Sequence, residues 1–188
     1  MEAVLKKEII VNKILCRLAG VLLFVVLTAL GAFVRIPLPF TPVPLTLQTF
    51  FVLLSGAFLG ARLGVVAQLS YVMLGVWGLP IFTGAGSGLL YLFGPTGGYL
   101  LGFVLAAMFL GRTIRQARDN LFLIFVFFCI ADAILLFCGS LWLGMLFKVS
   151  FVKSLLVGFL PFIPGDLLKA LFAAFLYLGL RPRLEEIF

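Results

Sequence analysis

Two oppositely charged residues, Asp166 and Lys169, lie three positions apart in a stretch that is otherwise apolar. Side chains at this spacing share one face of a helix. A charged group inside a membrane helix costs at least about 2.5–3.5 kcal/mol on insertion-based scales, so the pair needs a physical reason. Pro164 and Gly165 directly before Asp166 indicate that a helix begins or breaks there, which would leave backbone N–H groups free.

The sequence leaves two interpretations of this pair open. In the first, Asp166 and Lys169 form an ion pair that only fixes the packing of the helix. In the second, they face a polar cavity, where Asp166 accepts N–H donors from a ligand. Lys169 would then either neutralise a ligand carboxylate or hold Asp166 in place.

Other polar residues interrupt the apolar runs. Gln48 lies near the outer end of the second predicted helix, where an amide can bind a ligand or a neighbouring helix. Gln68 and Ser70 on the third predicted helix allow the same two roles, and we favour the structural one. Asp132 has no basic neighbour in its apolar run, so it could be protonated, pair across helices or lie at a helix end.

The residues needed for catalysis are missing from this sequence. It contains no histidine, no cysteine spacing typical of a metal site and no Gly-Lys dipeptide of a phosphate-binding loop. An acid–base site is difficult to assemble without such groups. We therefore expect no enzymatic activity, no metal and no cofactor.

The composition indicates an integral membrane protein. Of the 188 residues, 64% are hydrophobic and 11% are charged, whereas a soluble domain carries about 25% charged residues. Lipid must therefore cover most of the surface. The length predicts one transmembrane domain, 1–188. The net charge of +7 is spread over loops as the positive-inside rule requires, which argues against nucleic acid as a partner.

The apolar runs predict an all-α polytopic fold with six transmembrane helices, since a spanning helix needs about 20 mostly apolar residues. We interpret the first run as a retained helix rather than a cleaved signal. A Lys-bearing loop, 148–153, is expected before the last helix. The predicted helices are approximately 17–36, 45–60, 62–79, 96–111, 121–146 and 160–180.

The basic residues predict that both termini lie inside. With this orientation the inner segments hold ten lysines and arginines and the outer segments hold three. Such a bias in short loops sets the orientation of membrane proteins. The ten are Lys6, Lys7, Lys13, Arg17, Arg62, Arg112, Arg115, Arg118, Arg181 and Arg183; the three are Arg35, Lys148 and Lys153.

Two outward-facing segments differ from ordinary loops. Residues 35–44 alternate proline with apolar residues and cannot be helical. Residues 78–99 are rich in glycine and aromatic residues and carry no charge. Irregular backbone at membrane depth must be buried in protein or line a cavity. We therefore predict an apolar, glycine-rich lid loop between helices 3 and 4 that folds onto the bundle.

Four motifs, in this order along the chain, resemble the BioY family of biotin-specific substrate-binding (S) components of energy-coupling factor (ECF) vitamin transporters. The resemblance covers approximately residues 35–175. The motifs are TPVPLTLQT (41–49), GLPIFTG (78–84), GPTGGYL (94–100) and PGDLLK (164–169).

The resemblance implies a six-helix S-component fold in a bacterial inner membrane that binds biotin at its outer face beneath the lid. It makes Asp166 and Lys169 the ligand-contacting pair. We expect Asp166 to accept the ureido N–H groups of biotin, while Lys169 at the biotin carboxylate remains the alternative. The same resemblance suggests as pocket residues Gln48, Thr83, Gly84, Ser87, Tyr91 and Tyr99.

The partners implied are an ECF transmembrane T component and two ATPase subunits. The Ala-x-x-x-Ala face common on helix 1 of S components is absent here, because residues 21–25 read VLLFV. A solitary biotin facilitator without an ATPase is therefore an alternative, as is an S component for another small vitamin. A structural or assembly protein is the alternative of a different class.

Overall fold

The computed structural model describes residues 2–184, with side chains described for residues 13–182. Lys6, Lys7 and Arg183, which contribute to the predicted sidedness, lie outside the described side chains. The helices are α1 (Glu2–Phe33), α2 (Gln48–Val76), α3 (Leu89–Leu92), α4 (Gly97–Thr113), α5 (Leu121–Phe147), α6 (Phe151–Gly158) and α7 (Ile163–Leu184). Two-residue strands, β1 (Arg35–Ile36) and β2 (Leu45–Thr46), and 3₁₀ helices at Ile114–Ala117 and Leu160–Phe162 complete the fold.

Five helical segments in the described part of the chain are long and apolar enough to cross a membrane. Large apolar side chains such as Leu22, Phe122 and Phe172 project outward from them and are more than half exposed. A surface of this kind is compatible with lipid rather than water. The five segments are Lys13–Phe33, Gln48–Val76, Gly97–Ala117, Leu121–Phe147 and Phe151–Pro182.

Helix α2 folds back on itself at Gly60. The backbone there adopts φ +75° and ψ 175°, which is outside the helical region. The side chains of Gln48 and Tyr71 meet at 2.6 Å, although a straight helix would separate residues 23 positions apart by about 35 Å. The two arms, 48–59 and 61–76, are therefore antiparallel, as the predicted turn at 60–62 requires.

Close backbone contacts hold α4 between α2 and α5. A Cβ on Gly56 would lie 2.5 Å from the backbone oxygen of Ala107, and one on Gly102 would lie 2.8 Å from that of Leu135. Small residues at such crossings let helices in membranes approach closely. Helix α7 packs against α5 and α2, so the first turns of α2, α4 and α7 lie at one end of the bundle.

The proline-rich segment crosses this end of the bundle. Its two ends pair as antiparallel strands, with Arg35 opposite Thr46. The described backbone between them contains no helix, so the prediction that 35–44 cannot be helical is confirmed.

The glycine-rich loop, residues 77–96, also folds onto this end. Its Phe82 side chain is fully buried against Gly75. The Gly88 N–H donates to the Gly75 carbonyl at 2.7 Å, and the Trp142 indole N–H donates to the Gly94 carbonyl at 2.8 Å. These contacts tie both ends of the loop to the bundle.

Two sequence expectations need correction. The expected loop 148–153 is only a short turn before α6, because the Ser150 hydroxyl caps that helix by accepting the Lys153 N–H at 3.4 Å. The last helix begins at Ile163 after a 3₁₀ turn and not at residue 160. Of the three possibilities left open for Asp132, the helix end is excluded, because the residue lies near the middle of α5.

The structural role favoured for Gln68 is confirmed. Its amide donates to the Ser55 hydroxyl at 2.9 Å and to the Thr28 hydroxyl at 3.5 Å. All three side chains are fully buried. Gln68 therefore links the two arms of α2 with α1 inside the bundle.

Candidate functional site

A cavity with an empty volume of about 500 Å³ lies where the first turns of α2, α4 and α7 meet the glycine-rich loop. Most of its lining is apolar or aromatic, with a limited number of polar groups, as in sites for small organic ligands. We call it the site cavity. Its polar lining residues are Thr46, Gln48, Thr49, Tyr71, Thr83, Tyr91, Thr96, Tyr99, Asp166 and Lys169.

The Lys169 ammonium group has three hydrogen-bond acceptors within the protein. It donates to Asp166 Oδ1, to the backbone oxygen of Thr46 at 2.6 Å and to the hydroxyl of Thr49 at 3.0 Å. Because an ammonium group carries three N–H donors, all of them are used. Lys169 thus joins α7 to β2 and to the first turn of α2.

The Asp166 carboxylate is only half satisfied by the protein. Its Oδ1 accepts from Lys169 and from the Thr49 hydroxyl, the latter at 3.2 Å. Its Oδ2 is buried and has no hydrogen-bond partner among the described residues. A buried acceptor without a partner is costly, so an N–H donor entering the cavity would gain a strong hydrogen bond here.

A second polar group connects α2 to the glycine-rich loop. The Gln48 amide N–H donates to the Tyr71 hydroxyl, which itself donates to the Ile81 carbonyl at 3.0 Å. The Thr83 hydroxyl donates to the Gln48 side-chain oxygen at 2.9 Å. These bonds hold the loop over the cavity through side chains from both arms of α2.

Aromatic rings form much of the remaining wall. Phe82 and Tyr91 stack with their ring centroids 4.7 Å apart. Tyr99 and Phe162 pack at 6.0 Å, and the Tyr99 hydroxyl donates to the Gly158 carbonyl at 2.6 Å. The Tyr99 hydroxyl is thus already paired, and its ring supplies apolar surface to the cavity.

The structure brings together six of the eight residues that the sequence suggested for a ligand site. They are Gln48, Thr83, Tyr91, Tyr99, Asp166 and Lys169. The other two, Gly84 and Ser87, are exposed in the loop and do not line this cavity.

Sequence reasoning missed other residues of the lining, chiefly Thr49, Tyr71 and Phe82. Thr49 could have been predicted, because it follows Gln48 directly and lies in the same helical turn. Tyr71 lies deep in an apolar run, and only the fold-back at Gly60 brings it to Gln48.

A second cavity lies behind Asp166, between α5 and α7. It has an empty volume of about 460 Å³ and is lined by Asp132 and Asp166 together with mostly apolar side chains. Asp132 Oδ1 is buried without a hydrogen-bond partner among the described residues. Asp132 lines only this second cavity, whereas Asp166 lines both cavities and lies between them.

The comparisons with known proteins agree on one family. The family model described as "BioY family" matches residues 6–186. The probable biotin transporter BioY of Lysinibacillus sphaericus is 39% identical over 168 residues, covering 85% of this chain and 83% of the relative. The biotin transporter BioY of Thermotoga maritima is 37% identical over 159 residues, covering 85% and 92%.

A solved structure resembles the whole bundle. It is the crystal structure, at 2.1 Å, of the S-component for biotin from an ECF-type ABC transporter. The two chains superpose with a TM-score of 0.85 at 26% sequence identity, over 91% of this chain and 93% of the other.

Proposed function

The chain belongs to the BioY family, and we propose on that basis that it binds biotin in the site cavity and serves in biotin uptake across the membrane. It is a multi-pass membrane transport protein and not an enzyme. Biotin is its transported ligand and not a cofactor. The observation that carries the assignment of the site is Asp166, which lines the site cavity and whose buried Oδ2 has no partner among the described residues.

The hydrogen bonds of the site favour one orientation of biotin. The ureido ring of biotin carries two N–H donors, and Asp166 Oδ2 is a buried acceptor without a partner. The three N–H donors of Lys169 are already used, so binding a carboxylate at Lys169 would break existing bonds. We therefore assign the ureido ring to Asp166 and give Lys169 the role of holding that carboxylate in place.

The other site residues have supporting roles in this proposal. Gln48 and Thr83 hold the glycine-rich loop, which acts as the lid over biotin. The rings of Tyr91 and Tyr99 pack against the apolar ring and chain of the ligand. Because Gly84 and Ser87 do not line the cavity, we assign them to the lid itself.

We further propose that residues 1–188 form one transmembrane domain with both termini inside. Counting the two arms of α2 separately turns the five candidate spans of the described residues into six crossings, an even number that returns the chain to its starting side. The site cavity then lies at the outer end, near Lys148 and Lys153. The turn at Gly60 and the Arg112–Arg118 segment lie at the inner end.

As partners we propose an ECF transmembrane T component and two ATPase subunits, in line with the ECF-type assembly of the solved relative. A solitary biotin facilitator is the alternative. Gly20 and Ala32 on α1 are buried, and a Cβ on Gly31 would lie 2.9 Å from the backbone nitrogen of Gln48. These three residues serve packing inside the bundle, whereas Ala19 on the same helix is exposed.

Biotin uptake by cells that express this chain with and without a T component and ATPases separates the two assemblies. Uptake that requires the added subunits supports the ECF assembly. Uptake of equal rate and extent without them would overturn it in favour of the solitary facilitator.

Isothermal titration calorimetry with the detergent-solubilised protein tests the binding site. We expect Asp166→Asn to weaken biotin binding by roughly 10- to 150-fold, because a hydrogen bond to a charged group contributes about 1.5–3 kcal/mol. Asp119→Asn is the control, since it makes the same chemical change at an exposed acid that lines neither cavity. Equal affinities in the wild type and Asp166→Asn would refute the assignment, and binding of a different vitamin alone would refute biotin as the substrate.

A further inference from the structure

An outer vestibule adjoins the site cavity. It has an empty volume of about 570 Å³ and lies between the proline-rich segment and the glycine-rich loop. Four residues, Pro44, Thr83, Tyr91 and Thr96, line both the vestibule and the site cavity. These shared residues form the boundary between the two spaces, where the Tyr91 hydroxyl donates to the Thr83 carbonyl at 3.1 Å. A ligand chain that passes between them would reach from the site cavity into the vestibule.

Arg35 supplies the charge of this vestibule. It is exposed, and its guanidinium is the only charged group among the described residues that line the space. Within the described part of the chain, no carboxylate forms an ion pair with it. The guanidinium is thus available to an anion that arrives from outside.

Backbone pairing and a glycine set the position of Arg35. Arg35 lies opposite Thr46 in the strand pair, and the carbonyl of Thr46 accepts from Lys169. The guanidinium extends over the glycine-rich loop, where a Cβ on Gly84 would be 2.7 Å from Nη1 of Arg35. A larger residue at position 84 would displace the arginine, which gives Gly84 a function although it does not line the site cavity.

The two ends of the combined space differ in chemistry. The inner end offers an unpartnered acceptor, Asp166 Oδ2, and a lysine whose donors are all used. The outer end offers a guanidinium, whose planar donors match the two oxygens of a carboxylate. This arrangement suits a ligand with N–H donors at one end and a carboxylate at the other.

We propose that Arg35 binds the carboxylate of the ligand and selects for acids over their neutral derivatives. The proposal rests on the proposed function, because it assumes that biotin lies with its ureido ring at Asp166. It adds a residue that determines specificity for the free acid. Asp166 and Arg35 then recognise opposite ends of one molecule.

The test compares biotin with biotinamide, in which a neutral carboxamide replaces the carboxylate. Calorimetry on the detergent-solubilised wild type should show tighter binding of biotin by roughly tenfold, the amount expected for one charged hydrogen-bonded pair. Arg35→Gln should lose most of this preference while binding biotinamide as the wild type does. Arg35→Lys should keep part of the preference, because it retains the charge without the planar donors.

Lys153→Gln is the matched control, because it removes a basic residue outside the vestibule from the same end of the bundle. It should retain the wild-type preference. The proposal fails if Arg35→Gln keeps the full preference for biotin, if it weakens both ligands equally, or if the wild type does not distinguish them. A wild type that binds neither ligand would overturn the proposed function, and the role of Arg35 with it.

Discussion

Lys169 and Asp166 are buried together, with 13% and 2% of their side chains exposed, and each depends on the other. Lys169 also holds Thr46 and Thr49, so one ammonium group ties three segments of the chain to the ligand site. Removing one member of a buried ion pair costs about 3–5 kcal/mol, because the other charge is left without a partner. In the proposed function, the same two residues therefore contribute separately to stability and to ligand binding.

A double substitution tests whether the contributions to stability and to ligand binding can be separated. We expect Lys169→Met to lower the thermal stability of the solubilised protein strongly, since it strands Asp166 in apolar surroundings. Asp166→Asn combined with Lys169→Met should recover much of that stability, because no buried charge remains. The double variant should still bind biotin poorly, because the ligand acceptor is gone.

Thermal unfolding without ligand and calorimetry with biotin give the two readouts. Recovery of both stability and binding in the double variant would contradict the role of Asp166. No recovery of stability would contradict the stranded charge as the cause of the loss.

Individual residues of the site differ in how far the sequence could predict them. Asp166, Lys169 and Gln48 stand out because a polar residue in an apolar run needs a partner or a ligand. Tyr71 gave no such signal, since a tyrosine is common in apolar helices and its partner lies 23 residues away. The free oxygen of Asp166 could not be predicted either, because it depends on which acceptors surround Lys169.

Among the structural elements, the glycine-rich loop depends on one close contact. A Cβ on Gly75 would lie 2.1 Å from the ring of Phe82, and Phe82 is fully buried with no room to move. The backbone of Gly75 also accepts the Gly88 N–H. The end of α2 therefore anchors the glycine-rich loop.

We predict that Gly75→Ala displaces the lid, since overpacking of this kind costs about 1–3 kcal/mol. The expected results are weaker biotin binding and faster amide hydrogen exchange over residues 78–88. Gly179→Ala is the control, because a Cβ at that exposed helical position has open space around it. Unchanged exchange in the loop of Gly75→Ala would show that Phe82 does not anchor the lid.

Most helices could be predicted from apolar runs in the sequence, but the short helix α6 could not. The fold-back at Gly60 follows from a turn sequence between two runs. Helix α6 was missed because Lys148, Ser150 and Lys153 made its beginning resemble a polar loop, and eight residues are too few to establish a helical period.

At the scale of the whole molecule, the orientation in the membrane follows from the distribution of charge. Arg115 lies in the basic segment between α4 and α5, and Lys148 lies at the opposite end of α5. The proposed topology places Arg115 inside and Lys148 outside. These two exposed positions can report the orientation without disturbing the site cavity.

Cysteine labelling in whole cells tests this orientation. In a background with Cys16, Cys129 and Cys138 replaced by serine, Lys148→Cys should react with a membrane-impermeant maleimide. Arg115→Cys should react only after the cells are permeabilised. The reverse pattern would invert the topology and place the site cavity on the inner side.

Composition alone predicted that the molecule is a membrane protein. The cavity could not be predicted in the same way, because it forms where helices distant in sequence pack together. Contacts such as Gly56 against Ala107 set how closely α2 and α4 approach. A single sequence does not specify which glycine meets which backbone atom. The volume and lining of the cavity depend on those approaches.

The hydrogen bond from Trp142 to the Gly94 carbonyl also gives the protein an internal optical reporter. The chain contains two tryptophans: Trp77 begins the loop, and Trp142 on α5 contacts the other end of the loop at Gly94. Trp77 is 75% exposed where the loop begins, while Trp142 is held where it ends. The emission wavelength of the unmodified protein is therefore sensitive to the position of the loop, and the arrival of a ligand can be followed without attaching a dye.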